Sequence, residues 1–242
     1  MRSFLKIWTH SHIAVSSSSF SEDSHEPSLF ATDKVGVAKK HSTQYLRIEL
    51  IEMLRISQRA VDYAAKAYES GRPEYALHAS SGRARLNYLS HRIFIQTSEL
   101  REIQQLDNRK SAFESVCTMA ASLFFTGHHA FDWSLRAVEL PTRTIYKPLE
   151  DLVLMGARAN SIMRLCAVAI ISRKIEHAEQ ALRDIDDWRH DTDQSSWPRG
   201  SSLSLMLPDA VRERSIARSL LRIMDNMRTM ALTSSVLFAS QT

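Results

Sequence analysis

Ile216, Leu220, Ile223, Met227, Met230, Ser234 and Leu237 recur near the end of the chain at alternating spacings of four and three. That is the apolar stripe of an amphipathic helix packed in a bundle. At about 100° per residue, Asp225 points almost directly away from the stripe, onto a surface where an acid does no packing work. Three further helices show an apolar stripe of the same kind. Leu46, Leu50, Met53, Leu54, Val61, Ala64 and Tyr68 mark an apolar face from about Tyr45 to Glu69, with Arg47, Glu52, Arg55 and Arg59 turned elsewhere. Ser70 and Gly71 close that helix, and Pro73 opens the next. The second runs to about Leu100, with Gly82, Leu86, Leu89, Ile93 and Leu100 on one stripe. The third, from about Ser111 to Glu139, carries Met119, Leu123, Ala130, Trp133, Ala137 and Leu140, and Pro141 ends it. Beyond the linker PTRTIYKP, helices are expected over about Leu149–Ser172, Lys174–Asp193 and Pro208–Ala239. The loop QSSWPRGSSLSLML before the last of them is longer than most compact connections.

The two sets of three helices look like copies. At an offset of 102 residues, Ala67, Ser70, Glu74, Ala76 and Ala79 meet Ala169, Ser172, Glu176, Ala178 and Ala181. At an offset of 97, Leu123 meets Leu220, Ala130 meets Met227 and Ala137 meets Ser234. Helix order, lengths and turn positions agree as well, which is the signature of a tandem repeat. The expected fold is all-α: two tandem antiparallel three-helix bundles over 45–141 and 148–240. Residues 1–44, Ser-rich and aperiodic, read as a disordered or loosely helical extension.

Composition narrows the function classes. Only six Gly and six Pro in 242 residues suit long helices, and 44% hydrophobic with 24% charged residues is an ordinary soluble balance. The net charge of +4 comes from mixed charges, with no basic tract or aromatic-basic platform, so nucleic acid is not an expected partner. Cys117 and Cys166 lack metal-ligand spacing and read as reduced thiols in helices, which suits the cytosol. No stretch reaches the roughly 18 uninterrupted apolar residues of a membrane span. Lys6, Thr9, His10 and His12 break the one N-terminal stretch that could serve as a secretory signal.

Ala217, Arg218, Leu220, Arg222, Ile223 and Asp225 resemble the ARxLERIGDH signature that closes each half of the phosphate-uptake regulator family, PhoU. The resemblance covers about 45–240 and implies the same tandem architecture. In that family the Glu and Asp of the signature help hold metal ions on the bundle surface. Here Leu221 stands at the Glu position, Met224 at the Gly, Asn226 at the His and Thr229 at the later Asn. In the first repeat the signature falls on Leu123–Ala130. Leu123, Gly127, His129 and Ala130 agree, Phe124 replaces the Glu, His128 the Asp, and Asp132 falls at the later Asn. Where the family's second helix carries acids, this chain has RARLNYL at 83–89. In the second repeat RDIDDW at 183–188 keeps Asp184, Asp186 and Asp187.

Taken as residues, the candidate chemistry is sparse. His128 and Asp132 are four apart on one helix face and could share a metal, or simply support the helix. Asp225 with Asp184, Asp186 or Asp187 is a second candidate set, beside Arg183 and Arg189, which would serve equally as salt-bridged surface. No nucleophile motif, Gly-rich phosphate loop or paired catalytic carboxylate stands out, so no enzyme is expected. No cofactor is expected beyond at most one weakly held metal ion in the second repeat. Phe124 and Leu221 put large apolar side chains off the core stripe, either for a protein partner or against the neighbouring bundle. The resemblance implies a non-enzymatic cytoplasmic regulator or adaptor, at times peripheral at the inner face of the membrane. It would modulate phosphate transport or phosphate-responsive signalling through a transporter or sensor kinase, as a monomer or a homodimer. The alternative is a helical scaffold of the same descent with an unrelated partner.

Overall fold

A computed structural model describes the backbone of residues 31–103, 110–139, 149–194 and 207–239. They form seven α-helices: α1 (Ala31–Ser70), α2 (Pro73–Ser80), α3 (Arg83–Ile103), α4 (Lys110–Val138), α5 (Glu150–Ser172), α6 (Ile175–Gln194) and α7 (Leu207–Ala239). The protein is all-α, as the periodicity predicts. The segment before Ala31, the linker PTRTIYKP and most of both long connections lie outside the described residues. Residues 40–242 cluster as one compact unit, and residues 1–39 as another.

Two boundaries differ from the pattern-based reading. The first helix begins at Ala31 rather than Tyr45, so part of the expected extension is helical. The single helix expected over 73–100 is two, α2 and α3. The Ser80 and Ser81 hydroxyls donate back to the carbonyls of Leu77 and His78, a local competition that bends helices. Gly82 follows, and a Cβ there would stand 2.5 Å from Ile56 Cγ2 on α1. The break lets the chain pass close over α1.

Two helix ends share one geometry. Gly71 has φ 64° and its N–H donates to the carbonyl of Ala67 at 2.7 Å, a left-handed C-cap. At the offset of 102, Arg173 has φ 57° and its N–H donates to Ala169 at 2.8 Å. The same turn recurs although glycine does not.

The expected stripes are the core. Leu46, Leu50, Met53, Leu54, Val61, Ala64 and Tyr68 of α1 are buried, as are Leu86, Leu89 and Ile93 of α3 and Met119, Leu123, Ala130, Trp133 and Ala137 of α4. Ile216, Leu220, Ile223, Met227, Met230 and Ser234 of α7 are buried likewise. These belong to one cluster that also takes in α5 and α6. It joins the first set (α1, α2–α3, α4) to the second (α5, α6, α7), with α4 lying along α7. Helix α5 is long and apolar enough to cross a membrane, but Leu152, Met155, Ala159, Ile162, Met163 and Cys166 are sunk in this core. Half of its apolar window is buried in this way, while Leu154, Val168 and Ile171 are exposed; burial pushes the Cys166 thiol up to about 12.

Small residues set the crossings. A Cβ on Gly127 would stand 2.3 Å from Leu86 Cδ2 and 3.4 Å from Ser57 Oγ, so α4 lies tight on α3 and α1. One turn earlier the buried Ser57 hydroxyl donates to the carbonyl of Leu123 at 2.8 Å. On α5, a Cβ at Gly156 would stand 2.9 Å from Trp133 Cη2 and 3.5 Å from Ala65 Cβ. Trp133 is fully buried and cannot swing away. Gly156→Val should therefore destabilise by about 1–3 kcal/mol through overpacking, read as a fall in Tm of several degrees in thermal unfolding. An unchanged Tm would show that α5 can move off α4.

A buried polar strut spans the two sets. The Leu149 N–H, at the start of α5, donates to the Tyr68 hydroxyl at 3.1 Å, and that hydroxyl donates to Glu213 Oε1 on α7 at 3.4 Å. Glu213 is 4% exposed. Burial pushes its carboxyl up to about 7, against the pull of the Tyr68 hydrogen bond. Because the folded value exceeds the unfolded one, stability from this group is full below about pH 4.5 and is lost as pH rises through about 7. Glu213→Gln should remove that dependence, gaining roughly 1–3 kcal/mol over wild type at pH 8 and little at pH 5. Chemical unfolding at the two pH values measures it, and parallel curves for the two proteins would refute the assignment.

Candidate functional site

The candidate residues lie on the outer sides of α4, α6 and α7, positioned by the stripes that face inward. On α4, Leu123, Gly127 and Ala130 point into the core, which turns Phe124, His128 and Asp132 outward along one flank. Phe124 is half-buried and packs on the core. Its ring meets Phe125 edge-on at 5.3 Å and lies 4.4 Å from the ring of His128, which in turn lies 5.6 Å from Phe131. Phe124 thus serves packing as well as surface.

His128 Nε2 lies 2.9 Å from Asn87 Oδ1 on α3, so the ring donates its N–H to the amide carbonyl. The structure joins His128 to Asn87, one helix across, and to the Phe124 ring, rather than to Asp132. Asp132 is exposed on the next turn. Burial holds the His128 imidazole below its ordinary value, Arg83 adds to the shift and Asp132 opposes it. His129 is lowered too, by burial, with Asp132 opposing and Arg222 of α7 assisting. Both shifts favour the neutral ring.

On the second set, α6 packs against both α5 and α7, which also touch each other, and its acids meet arginines of both. Arg189 Nη2 on α6 is 2.5 Å from Asp225 Oδ1 on α7. Arg228 Nε on α7 is 3.4 Å from Asp186 Oδ1. Arg158 Nη1 on α5 is 2.8 Å from Asp191 Oδ2. Asp184 accepts from Gln180 Nε2 at 2.7 Å within α6, and Asp187 is exposed. Asp225 and the α6 acids thus share one face, but each interhelical contact is to a guanidinium. Among the described residues, no three His, Cys, Asp or Glu side chains gather closely enough to hold a metal ion. Leu221, one turn before Asp225, is 39% exposed.

Sequence reasoning found the acids and Arg189 but treated the pairing as intrahelical; Arg158 and Arg228 escaped it. It also missed the buried acids. Glu49, buried on α1, pairs with Arg92 Nη2 at 2.7 Å, and neighbouring Glu52 pairs with Arg85 Nε at 2.8 Å. Burial raises the Glu49 carboxyl, while the Arg85 hydrogen bond lowers that of Glu52. Arg85, placed where the family pattern has acids, is therefore half of an interhelical ion pair. Glu213 had a legible signal: it stands three residues before Ile216, on the core stripe itself.

No family model matches the chain, and no curated protein aligns with it. Its fold, however, is that of a known class of helical-bundle proteins. It is similar to the crystal structure of PhoU from Pseudomonas aeruginosa, with a TM-score of 0.66 at 15% identity, covering 84% of this chain and 99% of that one. It is equally similar to the phosphate transport system regulatory protein PhoU from Streptococcus pneumoniae, with a TM-score of 0.67 at 15% identity, covering 84% and 98%. The fold is PhoU-like.

The α4 flank yields a specific titration test. By NMR, His128 and His129 should both protonate below their ordinary value of 6.5. Arg83→Gln should move His128 upward and leave His129 in place. Equal movement of both, or of neither, would show that Arg83 does not act on the ring held by Asn87.

Proposed function

We propose that the chain is a non-catalytic regulator of PhoU type, acting by protein–protein contact in phosphate transport or phosphate-responsive signalling. The observation that carries this reading is the agreement of fold over almost the whole length of two PhoU structures. Of the positions that agree with the family signature, Leu123, Gly127, Ala130, Ala217, Leu220 and Ile223 are packing residues, whereas Arg218, Arg222 and Asp225 are exposed and His129 is half-buried. Gly127 and Leu123 sit at the tightest crossing of the first set. The absence of a nucleophile–base pair in the sequence supports action by contact rather than by chemistry. In this reading the protein works in the cytoplasm, against a transporter or sensor kinase at the inner face of the membrane.

A second reading is a helical scaffold of the same descent that serves an unrelated partner. It is favoured by apolar Phe124 and Leu221 standing where the signature has acids. Cross-linking pull-downs from phosphate-starved and phosphate-replete cells separate the two. The first expects a phosphate transporter or a phosphate-responsive kinase, recovered to different extents in the two states. The same unrelated proteins in both states would favour the second. Leu221→Asp should cut recovery of the bound protein several-fold while leaving Tm within a few degrees, because an exposed helix position contributes little to stability. Undiminished recovery would remove Leu221 from the contact surface.

A further inference from the structure

The PhoU-like fold raises the question of a metal, and the donor set on α6 and α7 answers it. A hard divalent cation needs several oxygen ligands converging on one point, together with enough negative charge to offset its own. Asp225 and Asp186 face each other's helices, but a guanidinium is seated on each: Arg189 on Asp225, and Arg228 on Asp186 at 3.4 Å. Asp191 is likewise paired with Arg158, at 2.8 Å. Leu221, one turn before Asp225, offers no donor where the resemblance places a carboxylate. The residues present do not fit a metal centre. They fit a surface already neutralised by cations of its own.

We infer that Arg189 and Arg228 are built-in countercharges for the acidic α6–α7 face, and that they keep divalent cations off Asp225 and Asp186. Each guanidinium joins α6 to α7, as a bridging ion would. Unlike an ion it cannot dissociate, and it brings directional N–H donors that match a carboxylate. The pairs are exposed, so their role is to set the charge of the surface rather than to hold the fold.

The test is Mn²⁺ binding to the full chain, followed by electron paramagnetic resonance at low ionic strength. Wild type should bind Mn²⁺ no more tightly than about 1 mM, and its Tm should be the same in chelator and in Mn²⁺. Arg189→Gln with Arg228→Gln should tighten Mn²⁺ binding roughly 10-fold or more, since two positive charges leave an acidic face. In that variant Mn²⁺ should raise Tm more than NaCl of equal ionic strength. Arg189→Lys with Arg228→Lys keeps both charges and should behave as wild type. If the Gln variant binds no more tightly than wild type, the arginines are not what excludes the ion. If wild type holds a stoichiometric metal that Asp225→Asn releases, the inference fails outright.

Discussion

The close crossing of α4 over α1 and α3 is the constraint on which the rest depends. The Leu86 side chain can lie this close to the α4 backbone only where no Cβ occupies its place. Gly127 supplies that gap, Leu86 fills it, and the Ser57 hydroxyl reaches the Leu123 carbonyl one turn away. A buried hydroxyl needs such an acceptor, because leaving it unpaired costs about 1–3 kcal/mol. Once α4 is seated, its other face is presented to α7, and a single apolar core extends from the first set of helices into the second. Gly156 repeats the device from the opposite side, allowing α5 to pass over the fixed ring of Trp133.

Most of the fold was legible because its signal is periodic. Every stripe position named on α1 and α7 is at least half-buried, and the helix ends lie within a few residues of the expected ones wherever a Gly or Pro marks them. The break between α2 and α3 was only half legible. Ser80, Ser81 and Gly82 are weak helix formers, but the apolar stripe runs on through them, and the split depends as well on where Ile56 stands on another helix. The start of α1 was missed for the opposite reason: residues 31–44 lack the apolar period that identifies a helix by its packing face.

The surface was harder to read, because pairing between helices is a property of three-dimensional neighbours. Arg158 and Asp191 are 33 residues apart, and Arg189 and Asp225 are 36 apart. Spacing within one helix suggests Arg183 or Arg189 as partners for the acids of α6, but not Arg228 across the interface. The α4 flank shows the same limit. His128 and Asp132 have an inviting spacing, yet the ring turns to Asn87, which no pattern within α4 could indicate.

Arg173 shows that a helix junction can keep this turn without glycine. It holds a left-handed backbone that glycine adopts without strain at the matching position, and a residue with a Cβ bears about 1–2 kcal/mol for it. The chain tolerates this because the turn is imposed from outside, by buried Ala169 and Ile170 anchoring the last turn of α5 and by α6 beginning at Ile175. Shape at a helix junction is thus inherited from the packing of whole helices, whereas the identity of the turning residue is left free to wander. Two junctions can share one turn without sharing the residue that makes it easy.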